Sequence, residues 1–264
     1  MAEKQFPKLS DFSPEELVQL ADEHDDQSFG LAFGNHPQMI NEGDFFEIIT
    51  GIKDPFANMA FGMEVRNAPS RVKSITKKLA YLSAPGYFWV GPNTKPDNLE
   101  EILIQNGWTY LASPPAMLVD LNVLDENQVN PDIELREVKT DEDFTIWQQA
   151  VSAGFNLSIE VAELFAKPDG ERMKYYTAFL NGEPVGTTAR IIHNDIPGIY
   201  CVATLPEFRR RGIGATLTLL PLLESRKEGH QIGTLQASSM GLPVYQKLGF
   251  KEVCRIKLYG YGLP

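Results

Sequence analysis

The densest group of residues able to do chemistry is the run Thr204-Leu-Pro-Glu-Phe-Arg-Arg-Arg-Gly-Ile-Gly-Ala215. Arg209, Arg210 and Arg211 precede Gly212, Ile213, Gly214 and Ala215 where an apolar, strand-like run gives way to a helix-forming one. Glycines let the backbone turn tightly and let a ligand approach amide groups, while a helix start adds unpaired N–H donors and the positive end of its dipole. Guanidinium groups form strong charge-assisted hydrogen bonds with phosphate oxygens. The combination describes an anion cradle, better suited to a pyrophosphate than to a carboxylate. No Lys-Ser or Lys-Thr follows the second glycine, and the Gly-x-Gly-x-x-Gly spacing is missing, which disfavours ATP and NAD. The plain alternative is a solvated basic turn capping an ordinary helix.

A second segment, Ala237-Ser-Ser-Met-Gly-Leu-Pro-Val-Tyr-Gln-Lys-Leu-Gly-Phe250, lies one strand and one helix later. Here the chain resembles the GNAT family of acyl-coenzyme A-dependent N-acyltransferases. That family carries an Arg/Gln-x-x-Gly-x-Gly/Ala loop for the pyrophosphate of acetyl-coenzyme A, matched by Arg209, Gly212 and Gly214. It also carries a helix ending in Tyr-x-x-Leu-Gly-Phe, matched by Tyr245, Leu248, Gly249 and Phe250. The resemblance covers residues 131–264. It implies that the strand ending near Thr204 parts from its neighbour, so that backbone groups of Val202, Ala203 and Thr204 bind the pantetheine arm. It implies further that Tyr245 is the general acid for the departing thiolate, a proton transfer that a phenol of pKa about 10 can make. The other reading of Tyr245 is a helix residue packed on the sheet. Ser238 stands where the family commonly has Asn, and reaches the cofactor with a shorter side chain.

Direct transfer from acetyl-coenzyme A to a primary amine requires the amine to lose a proton before it attacks. Glu207, His193 and Asp195 lie in the loops flanking the strand that ends at Thr204 and are the candidate bases, Glu207 being nearest the arginine run. No motif fixes any of them. The competing reading is an acyl-coenzyme A-binding module that keeps the loop without a working base.

The elements needed to position these residues follow from periodicity and turn residues. In the second half the expected order is βααβββαβαβ. An alternating strand opens at Ile133, helices are capped by Asp141 and by Ser158 (to about Ala166), and a hairpin turns at Asn181-Gly182. Further turns are expected at Asn194-Asp195 and Pro197-Gly198. A helix follows Gly212, shortened or kinked by Pro221, and a single strand from Glu252 to Tyr259 closes the chain. This is the α/β pattern of a GNAT fold, a mostly antiparallel mixed sheet flanked by helices.

The polar stretch 125–131 reads as a linker, dividing the chain into residues 1–128 and 129–264. The first part is also α/β. A helix starts at Ser13-Pro14 and runs to about His24, a strand covers Phe45 to Gly51, and an amphipathic helix covers Ser70 to Leu82. Then come a strand at Tyr87–Gly91, a helix ending near Gly107, and a strand at Met117–Leu121. Its last portion resembles the closing part of a degenerate GNAT-like repeat, without a counterpart of the arginine-glycine loop. Tyr87, Phe88, Trp89 and Trp108 fit core packing better than a ligand cleft.

Composition bounds the rest. The chain has 264 residues and a formal charge of −11, which argues against extended nucleic-acid binding. Cys201 and Cys254, the two cysteines present, have neither disulfide-framework nor zinc-site spacing and read as buried fillers, so no metal is expected. The opening residues lack the pattern of a signal peptide and no apolar run is long enough to span a membrane, so a cytoplasmic protein without membrane partners is expected. The acceptor is left as a small-molecule or peptide amine, and the oligomeric state open.

Overall fold

The computed structural model describes residues 6–34 and 36–263. The first residues of the stretch read for a signal peptide lie outside them. In chain order the first half forms α1 (Pro14–Phe33), β1 (Met39–Asn41), β2 (Phe45–Ile49), β3 (Asn58–Gly62), α2 (Ala68–Leu82), β4 (Gly86–Val90), α3 (Leu99–Gln105), β5 (Thr109–Ala112) and β6 (Pro115–Asp120). The second half forms β7 (Ile133–Glu137), α4 (Asp141–Phe155), α5 (Ile159–Ala162), β8 (Met173–Leu180), β9 (Glu183–His193) and β10 (Ile196–Thr204). It continues with α6 (Ile213–Lys227), β11 (Ile232–Gln236), α7 (Leu242–Lys247), β12 (Lys251–Arg255) and β13 (Lys257–Tyr261).

The strands build two mostly antiparallel sheets, ordered β1-β2-β3-β4-β13-β5 and β12-β6-β11-β10-β9-β8-β7. Each sheet holds one parallel pair, β3 with β4 and β10 with β11. Beside each pair stands a strand from the other half of the chain. β13 runs antiparallel between β4 and β5, and β6 does the same between β11 and β12. The segment 125–131 therefore joins the halves of the chain without separating two closed sheets. The single closing strand expected over Glu252 to Tyr259 is two strands that part at Ile256, one for each sheet. Ile256 is buried and its N–H donates to the Pro114 carbonyl at 3.1 Å, so the crossing costs no unpaired donor.

Local chemistry accounts for most element ends. Ser13 accepts from the Glu16 N–H and the Glu16 carboxylate accepts from the Ser13 N–H, a reciprocal cap over Pro14. The helix does not stop near His24, as expected, but continues to Phe33. The Asn181-Gly182 hairpin has φ of 54° and 83°, as its turn type requires. Pro197-Gly198, expected as a turn, lies within β10, and the turn is confined to Asn194-Asp195. Ile192, opposite Pro197, gives its N–H to Arg172, so β9 asks no donor of the proline. Pro221 does not end α6, because Leu217, Leu219, Leu222 and Leu223 are buried on both sides of it and carry the helix on to Lys227. Burial of that stripe outweighs one lost backbone bond. The helix after Ser158 ends at Ala162 rather than Ala166, where the Ala166 N–H instead meets the Ala32 carbonyl near the end of α1 at 2.7 Å.

The layers place α1 between the sheets. It touches β6, β9, β11 and β12 on one side and β2 and β3 on the other. α4 and α5 share its side of the second sheet, while α6 and α7 cover the opposite face over Leu219, Leu222, Leu235 and Leu248. Phe88 and Trp108 belong to the core under α2 and α3, and Trp89 packs in the central cluster against Phe29.

Candidate active site

The second sheet is forked. β10 pairs with β11 only at Gly198–Thr234 and Ile199–Leu235, yet keeps its pairing with β9 as far as Thr204–Gly186. A register shift between Tyr200 and Ala203 marks a bulge, with Cys201 at φ 51° and its carbonyl accepting from the Thr187 hydroxyl at 2.9 Å. Val202, Ala203 and Thr204 thus lie along an edge that β11 does not cover. The first sheet has the same parallel pair, but there the gap is bridged. The Lys95 N–H donates to the Met63 carbonyl and the Val65 N–H to the Lys95 carbonyl, both at 2.8 Å. That bridge, and the missing glycine loop, explain why one half keeps an open fork and the other does not.

The arginine-glycine loop lies beside the open fork. Gly212, at φ 76°, is the first residue of the turn into α6, and no side chain caps that helix. The first intrahelical donor is the Thr216 N–H, which leaves the N–H groups of Ile213, Gly214 and Ala215 at the helix mouth. A methyl group placed on Gly214 would meet no atom within 4 Å, and one on Gly212 would reach only the Asn130 Cβ at 4.0 Å. The space over the helix start is therefore open, and these residues fit a pyrophosphate.

The three arginines do different work. Arg209 reaches back, donating from Nε to the Thr204 carbonyl and from a terminal nitrogen to the Gly154 carbonyl at the end of α4, each at 3.2 Å. It clamps the loop to the fork and meets the negative end of a helix dipole. Arg210 and Arg211 are exposed, Arg211 with its guanidinium 5.5 Å above the Phe208 ring. These two supply free charge at the cradle. Asn130, in the stretch read only as a linker, holds the loop from behind: its amide donates to the Arg211 carbonyl at 3.0 Å, and its N–H to the Thr216 hydroxyl at 2.9 Å.

Tyr245 sits on α7 facing α6, nearly buried, with its hydroxyl bonded to Thr218. Burial pushes its phenol up to about 12. The same desolvation holds the Cys201 thiol, at the bulge, up at about 12. Ser238 is exposed and accepts from the Gly241 N–H at 3.1 Å, closing the turn before α7. Glu207 is exposed in the turn between β10 and the loop. His193, the last residue of β9, and Asp195, in the turn before β10, lie at the end of β10 away from Thr204. His193 instead meets Glu23 of α1 at 3.3 Å, and the Asp195 carbonyl accepts from His230.

Sequence reasoning missed a second constellation, on α1. Asp22, His24, Asp25, Asp26 and Ser28 are buried between the sheets. His24 donates from Nε2 to the Ile196 carbonyl at 2.8 Å, which makes Nδ1 an acceptor for the Tyr200 hydroxyl at 2.8 Å and the Ser28 hydroxyl at 3.1 Å. Gly198 makes room, since a Cβ there would strike the His24 ring at 2.4 Å. Desolvation drives the His24 imidazole down to about 4, so it is neutral. The signal was present: Asp22, Asp26, Phe29 and Phe33 fall on one helical stripe with buried aromatics, an odd place for solvated acids.

Residues 171–252 match the family model of the acetyltransferase (GNAT) domain. The chain carries a GNAT domain. Such a domain transfers acyl groups, and the match spans the fork and the loop together with Tyr245. No curated protein matches the chain. Solved structures resemble it over nearly its whole length. A GCN5-related N-acetyltransferase from Kribbella flavida superposes with TM-score 0.66 at 18% identity, covering 92% of this chain and 94% of its own. One from Sphaerobacter thermophilus gives TM-score 0.55 at 14% identity, covering 98% and 95%. A tandem GNAT protein from clavulanic acid biosynthesis gives 0.51 at 14%, covering 97% of each. At such identities the likeness is one of fold, and it extends the GNAT-like architecture to the first half. Among the described residues no helix is long and apolar enough to cross a membrane.

Proposed function

We propose that the protein transfers the acetyl group of acetyl-coenzyme A directly to a primary amine of a small molecule or peptide. One observation carries the reading: an open fork between β10 and β11 beside an uncapped, glycine-opened helix start flanked by Arg210 and Arg211. The N–H groups of Ile213, Gly214 and Ala215 and the two free arginines would hold the pyrophosphate. The backbone of Val202, Ala203 and Thr204 would line the pantetheine arm, and Arg209 would keep loop and fork in register. The bound thioester supplies an activated acetyl group. Tyr245, kept protonated by burial, would give its proton to the leaving sulfur.

Titration calorimetry with acetyl-coenzyme A, followed by thiol release with a panel of primary amines, tests the reading. Saturable binding and amine-dependent release support it. No binding at high micromolar concentration overturns it, and binding without release by any amine or peptide identifies a non-catalytic acyl-coenzyme A module.

A further inference from the structure

Three carboxylates of α1, those of Asp22, Asp25 and Asp26, are buried where the two sheets face each other. Among the described residues no lysine or arginine acts on any of them, and they are not arranged to hold a metal ion. Asp25, 5% exposed, accepts from the Gln236 amide at 2.9 Å and lies against the Tyr200 hydroxyl. Gln236 is the last residue of β11, and Tyr200 is the first residue of the β10 bulge. Asp25 therefore bridges the two strands at the point where they part, on the face opposite α6. Asp26, 8% exposed and close enough to feel both Asp22 and Asp25, leaves Oδ2 with no donor at all. A buried carboxylate oxygen without a donor marks a missing partner. A donor that satisfies clustered carboxylates brings both N–H groups and positive charge.

We propose that Asp25 and Asp26 form the acceptor subsite, which takes the primary ammonium group of a cationic amine, and that Asp25 removes its proton. This rests on the acyl-transfer reading and names its substrate class and its base. His24 positions the site: with Nε2–H fixed on the Ile196 carbonyl, its Nδ1 lies 2.8 Å from the Tyr200 hydroxyl and holds that hydroxyl against Asp25. A narrow apolar pocket of about 40 Å³, lined in part by Phe29, Tyr175, Ile191, Tyr200 and Cys201, adjoins the bulge, and Tyr200 connects it to Asp25.

In the transfer step the ammonium gives one proton to the Asp25 carboxylate, which later releases it to solvent. The freed nitrogen lone pair forms the C–N bond at the thioester carbonyl, the C–S bond breaks, and its electron pair leaves on sulfur, which takes the Tyr245 proton. The second proton of the new amide nitrogen restores the Tyr245 phenol. The groups facing Asp25 are Asp22 and Asp26 of its own helix, Tyr200 of β10, Gln236 of β11 and Cys254 of β12. Burial and the Asp22 charge lift its carboxyl to about 7, where a base works well at neutral pH.

The test compares the wild-type protein with Asp25→Asn, using acetyl-coenzyme A with n-butylamine and 1,4-diaminobutane from about pH 5 to about pH 9. Wild-type kcat/KM is expected to rise with a midpoint near 7. Asp25→Asn is expected to lose about 100-fold or more in kcat and to lose that midpoint, with acetyl-coenzyme A affinity unchanged. In carboxyl ¹³C spectra, the aspartate resonance missing from Asp25→Asn should titrate near 7 and shift on adding n-butylamine. An Asp25→Asn protein with wild-type kcat and profile overturns the proposal. So does an Asp25 resonance that stays ionised to about pH 5 or ignores both amines. Failure of the wild type to bind acetyl-coenzyme A defeats the acyl-transfer reading instead.

Discussion

Replacing Asp25 by Asn should stabilise the fold, and by an amount that depends on pH in a predictable direction. The Asp25 carboxyl lies at about 7 in the folded protein against an ordinary 3.8, a displacement of about 3 units, or about 4 kcal/mol at ~1.4 kcal/mol per unit. Because the folded value is the higher one, the native protein keeps a proton that the unfolded chain has already released between those two pH values. Stability therefore falls as pH rises through that window and levels off above it. About 1.5 kcal/mol has gone by pH 5, which leaves about 3 kcal/mol to be lost between pH 5 and pH 8. An asparagine amide cannot ionise, so the variant escapes the loss. Urea unfolding of both proteins at the two pH values, read from the midpoint at constant slope, should show the advantage of Asp25→Asn widening by about 3 kcal/mol. Relief of Asp22 and Asp26 from a neighbouring charge adds in the same direction. A difference that stays constant with pH, or a variant less stable than wild type at pH 8, would refute the reasoning. A protein that keeps so costly a group trades stability for something, and the fork beside it supplies the reason.

The remaining expectations concern the donor side and the bulge. Gly214→Ala adds a methyl group to open space at a helix start, so the melting temperature should hold or rise, the helix gaining up to ~1 kcal/mol; acetyl-coenzyme A affinity by calorimetry should nonetheless fall tenfold or more (about 1.4 kcal/mol) because the methyl fills the cradle. Unchanged affinity would place the pyrophosphate elsewhere. Tyr245→Phe should lower kcat by about 100-fold while leaving the acetyl-coenzyme A Kd within about twofold, and an equal loss in both would make the tyrosine a packing residue. The Cys201 thiol, held up at about 12 by burial, should resist iodoacetamide at neutral pH in the native protein and react on unfolding, and rapid native-state alkylation would show a looser bulge.

The donor half of the site was legible because it is local. Gly212, Gly214 and the arginines are consecutive, and Tyr245 follows at motif spacing, so a short window of sequence holds the chemistry. The fork itself could be read only through the family resemblance, since a strand that loses one partner and keeps the other looks like any strand in sequence. Pro197 and Pro221 misled for one reason. Their local preferences for a turn and for a helix end were overridden by burial against elements far away in the chain, which periodicity cannot see. Asn130 is the same case on a smaller scale, a linker residue whose partners Arg211 and Thr216 lie more than eighty positions on. The crossing at Ile256 was hidden because Glu252 to Tyr259 alternates as one strand while belonging to two sheets.

That crossing bears on how an acceptor reaches Asp25. Two α/β units joined by a linker ordinarily move against each other, and a site between them opens by a hinge. Here β6 is hydrogen-bonded on both sides within the second sheet, and β13 on both sides within the first. Opening the halves would tear backbone ladders or unfold the short connections at Pro114 and Ile256, which are themselves paired. α1, fixed against β6, β9, β11 and β12, is held at the fork by the same exchange. Side-chain movement at Phe29 and Phe165, which line the narrow pocket beside the bulge, is one way in, and the wider cavity of about 230 Å³ lined in part by Glu23, His24, His193 and Ile196 is another. The exchanged strands thus keep the proposed base from the first half fixed against the proposed acyl site of the second.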